Sequence, residues 1–460
     1  MIRPDAALLP EDLRPLLDRF WPVSGAKWRA LEDRWDPAEG APVFTDGGRY
    51  TTRGWTDWTQ GFQFGSGLIQ FEATGEVADL ELATDRILRH QPAHVTHAGV
   101  HDHGFNVVST YGRWLSLIGR GLAPATPLER AGVELALKAS ACVQASRWTD
   151  LGDDLGFIHS FNGPHSLFVD TVRTLRVLAL GHQLGHRMLG ESDAEISLLG
   201  RLVAHGLATA QYAVFYGDGR DRYDDRAGRV AHESLFNVHA AAGSEAAYRC
   251  PATQQGYSPF TTWTRGLAWA ILGFAEQLEW LDTRDDAELE PLFGGELSRG
   301  DVVDAFAEAA DAAADFYLSE MPTDGVPYWD TGAPRLHELG DYQGRPADPF
   351  NGKEPVDASA AAIAAQGLLR LGRRADAAGD EGSLLTAAGL TVTRTLLSEP
   401  YLSTDESHEG LLLHTVYHEP GGWDAGHGVG EACQWGDYHL RELALLVQRM
   451  ADGGDDRFYL

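Results

Sequence analysis

Residues 258–269, SPFTTWTRGLAW, place aromatic, hydroxyl and arginine side chains at the start of an apolar helical pattern. Five other segments of similar character stand at the starts of predicted helices: WTDWTQGFQFG at 55–65, HDHGF at 101–105, SFNGPHSLFVD at 160–170, PVDASAAAIAA at 355–365 and GEACQWGDYHL at 430–440. These six segments open every second predicted helix, whereas the helices between them begin with ordinary surface sequence. The alternation favours two layers of helices, with the six segments on the inner layer.

Apolar residues at helical spacing, bounded by breakers, predict about twelve helices. They cover residues 10–33, 57–75, 76–91, 104–122, 126–146, 165–187, 193–213, 261–283, 300–320, 357–375, 381–398 and 431–450. Alternating apolar and polar runs are too brief to suggest a sheet, so we expect any strands to be short. Twelve helices in short-linked pairs predict an all-α fold of six hairpins closed into a toroid, with residues 1–460 as one domain. An open solenoid is the alternative, although no repeat of fixed length supports it.

The six segments converge at one rim if the inner helices all begin there. Helix N-termini present unpaired N–H groups and a positive dipole end, which suits an anionic ligand. The alternative is that the segments are only aromatic packing residues with turn residues between them.

The composition indicates which partners, which cellular location and which cysteine state to expect. The formal charge of −30 would repel a phosphate backbone and an anionic membrane surface, so neither nucleic acid nor membrane is expected as a partner. The start, MIRPDAALLPEDLRPLL, lacks an export signal, and no later stretch reaches the length of a membrane span, so we expect a cytoplasmic protein. Cys142, Cys250 and Cys433 are far apart and are expected to be reduced thiols.

Two aspartates stand in unusual places. Asp102 lies between two histidines at a helix start, where a carboxylate often serves only as an N-cap. Asp170 follows Leu167, Phe168 and Val169, so it is expected to face the interior or a cavity. The structural alternative for Asp170 is an ion pair with one of the nearby arginines, Arg173 or Arg176. Paired carboxylates in a pocket are the usual machinery of glycoside hydrolysis.

The stretch at 254–269 combines residue types that bind sugars and anions. Trp263 can offer an apolar face to a pyranose ring, and Arg265 offers a planar fork that matches a carboxylate. An ion pair of Arg265 with Glu276 or another acid of the rim is the alternative, and Arg249 would then be the next candidate for carboxylate recognition. Trp269 is expected to belong to the core.

The chain resembles the unsaturated glucuronyl hydrolases, glycoside hydrolase family 88, and more distantly the unsaturated rhamnogalacturonyl hydrolases of family 105. The resemblance covers nearly the whole chain. It is carried by residues 55–76, 101–105, 168–175, 254–273, 357–372, 409–424 and 430–446. It implies an (α/α)6 barrel that hydrates the C4=C5 enol ether of an unsaturated uronic acid at the non-reducing end of an oligosaccharide. It implies no metal and no organic cofactor.

The resemblance also implies roles for individual residues. Asp170 matches the aspartate that protonates C4 and activates the water for C5, and Asp102 matches the second family aspartate, which holds the substrate and tunes its neighbour. The substrate-contacting positions are Trp58, His101, His232, Gln255, Trp263, Arg265, Cys433 and Gln434.

Some positions depart from the family pattern. After the catalytic aspartate the family usually has two methionines and an asparagine, whereas this chain reads Thr171 to Thr174, with Thr174 in place of the asparagine. Cys433 stands where serine or another small polar residue is common, and the loop from Gly217 to Tyr257 is longer than in many members. These departures leave the preferred uronate and neighbouring sugar open.

Other functions fit parts of the same pattern. An inverting glycosidase of saturated uronides would use the same two aspartates, a sugar-binding toroid would not catalyse at all, and an epimerase or lyase would rely on histidine or tyrosine bases. The histidines have no HExxH or comparable metal-ligand spacing, and His101 and His103 are expected to point to opposite sides. We expect a monomer or homodimer that acts on oligosaccharides with a terminal uronic acid.

Overall fold

The structure is a computed structural model, and it describes residues 1–53, 57–153, 155–238, 246–289, 292–295, 297–379, 382–419 and 428–454. Residues 55–56 of the first aromatic segment and 420–424 of the segment at 409–424 lie outside the described residues, as does residue 381, where one predicted helix begins. Within the described residues the helices are α1 (Arg14–Arg34), α2 (Gln60–Thr74), α3 (Val77–His90), α4 (Pro92–Val95), α5 (His103–Val107), α6 (Arg113–Gly119), α7 (Pro127–Ser146), α8 (Thr171–Thr174), α9 (Arg176–Gln183), α10 (Leu198–Tyr212), α11 (Thr264–Leu281), α12 (Asp286–Leu289), α13 (Arg299–Glu320), α14 (Ala358–Ala378), α15 (Ser383–Leu396) and α16 (Gln434–Asp452).

The strands in the same residues are short and form small antiparallel sheets. They are β1 (Pro42–Asp46), β2 (Arg49–Thr52), β3 (Trp148–Gly152), β4 (Leu155–Ile158), β5 (Ser166–Phe168), β6 (Met188–Leu189), β7 (Glu195–Ile196), β8 (Glu233–Asn237) and β9 (Ala247–Ala252). β1 pairs with β2, β3 with β4 and β6 with β7, while β5, β8 and β9 form one three-stranded sheet. The expectation that strands would be short is confirmed.

The helices form two concentric layers. The inner ring consists of α2, α5 with α6, α8 with α9, α11, α14 and α16, and each unit packs against the next. Because α16 also packs against α2, the ring is closed. The outer helices α1, α3, α7, α10, α13 and α15 each pack against an inner helix. The predicted all-α toroid of six hairpins is therefore confirmed, and the alternative of an open solenoid is wrong.

Glycines let the inner helices approach closely. A Cβ atom at Gly367 of α14 would lie 2.9 Å from the backbone nitrogen of Leu272 in α11. A Cβ atom at Gly273 of α11 would lie 2.9 Å from the backbone nitrogen of Arg173 in α8. Real side chains do not fit at such distances, so α11 is seated directly against both neighbours. This packing fixes the start of α11, where Trp263 and Arg265 lie, relative to Asp170.

The structure differs from the predicted helices at three places. The predicted helix at 165–187 begins with β5, and regular helix starts only at Thr171. The predicted helix at 193–213 contains β7 and becomes helical only at Leu198, and the one at 104–122 contains a π-helical turn at Val108–Gly112. Short apolar runs such as Leu167 to Val169 fit either a strand or a buried helix, so the pattern alone does not separate them.

Every helix in the described part of the chain is too short or too polar to cross a membrane.

Candidate active site

A recess opens at the rim where the inner helices begin. Its walls come from the starts of α2, α5, α8 and α11, together with two loops. Seven of the ten predicted site residues line it: Trp58, His101, Asp102, Asp170, Gln255, Trp263 and Arg265. The segments at the starts of α14 and α16 support the recess from behind, since Asp357 pairs with Arg265 and Trp435 stacks on Trp58 at 5.1 Å. The six segments therefore converge as predicted: four of them line the recess, and the other two pack behind its walls.

Asp102, Asp170 and His101 form a buried cluster in this recess. His101 Nε2 lies 3.7 Å from Asp102 Oδ1 and 3.5 Å from Asp170 Oδ1. The exposed fraction is 1% for His101, 7% for Asp102 and 9% for Asp170. Asp102 occupies the N-cap position of α5, yet its side chain makes no capping hydrogen bond. The capping role that its position suggested therefore does not explain this carboxylate.

The His101 ring is held by aromatic contacts. It stacks on Phe161 at 6.0 Å and meets the edge of Phe168 at 5.5 Å, and among the described residues neither ring nitrogen makes a hydrogen bond. Both contacts to the carboxylates are too long for strong hydrogen bonds. Aromatic contacts therefore fix the His101 ring so that it faces the two carboxylates, and its nitrogens are available to a ligand or a proton.

The two carboxylates differ in their affinity for a proton. Burial raises the pKa of Asp102, and the nearby charge of Asp170 raises it further, against the opposing effect of His101. Burial also acts to raise the pKa of Asp170, but the contact with His101 and the charge of His101 outweigh it, so this pKa is lowered. Burial lowers the pKa of His101, yet the two carboxylates outweigh it and raise the pKa overall. Such a split between paired carboxylates is typical of acid–base sites.

The arginines near Asp170 pair with other acids. Arg173 contacts Glu276 at 3.2 Å and Glu442 at 2.7 Å, and Arg176 contacts Glu276 at 3.4 Å. These groups are buried in the barrel and compensate one another there. The structural alternative for Asp170, an ion pair with Arg173 or Arg176, is therefore wrong.

Arg265 lines the recess, but its guanidinium is already bound to the protein. Nη1 donates to Asp357 Oδ2 at 2.8 Å and to the carbonyl of Val416, and Nη2 donates to Gln255 Oε1 at 2.6 Å and to the carbonyl of Tyr417 at 3.0 Å. The side chain also lies over the Trp263 ring at 4.6 Å. The alternative of an ion pair with Glu276 or another acid of the rim is found in its second form, since the partner is Asp357 at the N-cap of α14.

His232 lies behind the wall and does not line the recess. Its Nδ1 accepts backbone N–H groups of Gln254 at 3.0 Å and Gln255 at 3.3 Å, so the ring proton resides on Nε2. Burial lowers its pKa to about 4, which keeps the ring neutral. The ring packs between Phe168 at 4.6 Å and Trp263 at 4.5 Å. His232 thus orders the loop that carries Gln255.

Cys433 and Gln434 do not line the recess either. Cys433 is the N-cap of α16, where its Sγ accepts the backbone N–H of Gly436 at 3.3 Å, and it is fully buried. Burial raises the pKa of this thiol. Gln434 is also buried. The structure places both residues at the start of α16, next to Trp435, which stacks on Trp58.

Several walls of the recess were not selected from the sequence. Phe161, Phe168, Tyr417 and His418 line it. Trp269 also lines the recess, and it is buried in the core as expected. Phe161 and Phe168 lie inside the segment SFNGPHSLFVD, so their closeness in sequence to Asp170 is the signal that could have indicated a place in the recess. Tyr417 and His418 come from a loop far along the chain, and they lie in the segment at 409–424 that carries the family resemblance.

Among the described residues, His101, Asp102 and Asp170 form a group that can hold a metal ion. One ligand atom from each lies within 4.8 Å of the others. His103 points elsewhere, with Nδ1 2.7 Å from Ser140 Oγ and Nε2 3.1 Å from the carbonyl of His97. The prediction that His101 and His103 point to opposite sides is confirmed.

Comparison with known proteins identifies relatives of the chain. No family model matches the chain. It is 27% identical to an unsaturated glucuronyl hydrolase of Bacillus sp. (strain GL1) over 425 residues, which cover 90% of this chain and 92% of that protein. The chain is a relative of the unsaturated glucuronyl hydrolases. It is also 26% identical to an unsaturated chondroitin disaccharide hydrolase of Streptococcus pyogenes serotype M1, over 85% of this chain and 81% of that protein.

Solved structures of unsaturated glucuronyl hydrolases share the fold. The enzyme of Bacillus sp. GL1 superposes with a TM-score of 0.69 at 24% identity, covering 95% of this chain and 97% of the other. An unsaturated glucuronyl hydrolase specific for heparin superposes with a TM-score of 0.70 at 18% identity, covering 96% and 99%. At these identities the superpositions support the toroid fold.

Proposed function

We propose that the chain is a glycoside hydrolase that removes an unsaturated uronic acid from the non-reducing end of oligosaccharides made by polysaccharide lyases. Asp102 and Asp170, which flank His101 in a recess with aromatic walls, carry this proposal. The relationship to the unsaturated glucuronyl hydrolases supplies the class of substrate. We further propose that residues 1–460 act as one catalytic domain.

In the proposed reaction, Asp170 gives a proton to C4 of the sugar ring, and positive charge develops at C5 and the ring oxygen. A water molecule then adds to C5 and loses a proton to the Asp170 carboxylate. The resulting hemiketal at C5 opens, and the uronate separates from the neighbouring sugar. The net change is the addition of one water molecule, so no redox partner is required.

Asp170 must hold a proton before it can donate one. In the unliganded recess its pKa is lowered, so the carboxyl is ionised at neutral pH. A substrate uronate adds negative charge and excludes water, and both effects raise the pKa of a neighbouring carboxyl. His101, whose pKa is raised and whose Nε2 lies 3.5 Å from Asp170 Oδ1, is placed to supply the proton. Contacts of this length in an unliganded site commonly shorten when substrate binds.

The function is tested with a panel of lyase-generated unsaturated disaccharides in water labelled with heavy oxygen. Hydration of the C4=C5 bond removes its ultraviolet absorbance and places the label on C5. An inverting glycosidase of saturated uronides would instead place the label on C1. A lyase would increase the absorbance, and a binding protein would show affinity without turnover. Any of these three results would replace the proposal.

Arg265 is proposed to contribute to carboxylate recognition through Nη2, once the Gln255 amide moves aside. We expect Arg265→Lys to raise KM at least about tenfold, roughly 1.4 kcal/mol, since lysine cannot reproduce the planar fork. The ion pair with Asp357 is lost as well, so the unfolding temperature is measured beside KM. Arg89→Lys, at an exposed position on α3 where the arginine pairs with Asp85 outside the recess, is the matched control. An unchanged KM would assign carboxylate recognition to another residue.

Chelation is expected to leave the activity unchanged, because no step of the proposed reaction involves a metal. Treatment with EDTA followed by gel filtration, with the disaccharide assay before and after, measures this directly. Activity that disappears and returns on addition of zinc or calcium would contradict a metal-free mechanism.

A further inference from the structure

We propose that His101, Asp102 and Asp170 form a binding site for Zn²⁺ and that zinc bound there blocks the catalytic recess. Binding itself does not depend on the proposed function, although the inhibition does. The site is distinct from a catalytic metal centre, because the reaction proposed above does not use it.

The ligand spacing matches a tetrahedral zinc ion. With zinc–nitrogen and zinc–oxygen bonds of about 2.0–2.2 Å, two ligand atoms of a tetrahedron lie roughly 3.3–3.6 Å apart. His101 Nε2 lies 3.5 Å from Asp170 Oδ1 and 3.7 Å from Asp102 Oδ1, close to this edge length. The two carboxylate oxygens lie within 4.8 Å of each other, and a movement of the Asp102 carboxyl toward His101 and Asp170 completes the face.

The side chains are suited to a metal in chemistry and in orientation. His101 is almost fully buried, its ring is fixed between Phe161 and Phe168, and Nε2 is directed at both carboxylates without forming a hydrogen bond. Asp170 Oδ1 also lacks a hydrogen-bond partner among the described residues. A dication between two buried carboxylates neutralises their charges, which a water molecule cannot do.

The donor set distinguishes zinc from the hard cations. Imidazole nitrogen is a good ligand for zinc, copper and nickel, whereas calcium and magnesium prefer oxygen. Magnesium also has shorter bonds of about 2.0–2.1 Å in an octahedron, which would require its ligands to lie closer than they do here. Among the described residues, His101 Nδ1 donates to no carboxylate or carbonyl. The support that strengthens many histidine–zinc bonds is therefore missing there, and we expect micromolar affinity.

The direct test is calorimetric titration of the chelator-treated protein with ZnCl₂, with CaCl₂ and MgCl₂ as comparison ions. We expect one zinc ion per chain and no heat of binding for calcium or magnesium. Asp102→Asn and Asp170→Asn, which conserve side-chain volume, should each weaken zinc binding at least about tenfold, and His101→Ala should weaken it further. Circular dichroism checks that each variant is folded.

His182→Ala is the matched control. His182 Nε2 lies 2.9 Å from Glu288 Oε2 outside the recess, so this variant removes another histidine–carboxylate contact and should bind zinc like the parent chain. Binding that persists in all three recess variants, or the absence of binding at millimolar zinc, would overturn the proposed site.

Inhibition is measured separately, with the unsaturated disaccharide that proves to be turned over. Zinc should inhibit competitively, because the ion and the reacting sugar ring occupy the same space, and EDTA should reverse it. Zinc binding without any disaccharide turnover would retain the metal site and reject the proposed function. Turnover that is unaffected by saturating zinc would reject the block of the recess.

Discussion

Asp170→Asn is expected to lower kcat for unsaturated disaccharides by about 10³–10⁴-fold, while the fold is retained. Asparagine has nearly the same shape as aspartate, but its amide neither donates an acidic proton to C4 nor accepts one from water. Because Asp170 Oδ1 makes no hydrogen bond among the described residues, the substitution breaks no such bond at that oxygen. The loss of ultraviolet absorbance with time measures the rate.

Asp150→Asn is the control for this variant, since Asp150 is an exposed carboxylate on β3 outside the recess. It should retain the activity of the parent chain. Both variants should unfold at the same temperature as the parent. Near-normal turnover by the Asp170 variant would remove this residue from the mechanism and leave Asp102 as the acid.

The ring could be predicted because its signals are local. Each inner helix begins with aromatic, glycine or acidic residues, and these starts recur at every second helix. A ring of helices can be predicted without knowing which distant segments pair, because short links place consecutive helices next to each other. β5 was missed for the opposite reason. It is only three residues long, and its partner β8 begins at Glu233, 65 positions after the end of β5 at Phe168.

The sequence predicts that an acid of the rim can pair with Arg265, but it does not say which acid. Glu276 lies on the same helix, and the other acids of the rim are the second possibility. The actual partner, Asp357, lies 92 positions away at the start of α14, and only the closed ring brings the two starts together. Glu276 is used instead by Arg173 and Arg176, whose charges face the barrel interior.

The departures from the family pattern can also be given a physical account. Arg173 stands where a methionine is usual, and Glu276 and Glu442 balance its buried charge. Thr174 stands where asparagine is usual, and its hydroxyl accepts a hydrogen bond from Gln144 at 2.5 Å and donates one to the carbonyl of Thr171 at 2.9 Å. Among the described residues neither side chain forms a hydrogen bond or an ion pair with Asp170, so both substitutions act on the support of α8.

Asp102→Asn is expected to lower kcat by about 10²–10³-fold, less than the Asp170 variant, because Asp102 is proposed to tune the proton and not to transfer it. The negative charge of Asp102 is the largest influence that raises the pKa of His101, against the effect of burial. Removing this charge lowers the pKa of His101, so the imidazolium loses its proton at a lower pH. If His101 supplies the proton to Asp170, activity must then decline at a lower pH on the alkaline side. The full pH profile of kcat/KM for the variant and for the parent measures this displacement.

A uniform loss of activity with an unmoved alkaline limb would mean that Asp102 positions the substrate without controlling the proton. A variant with less activity than Asp170→Asn would reverse the two roles.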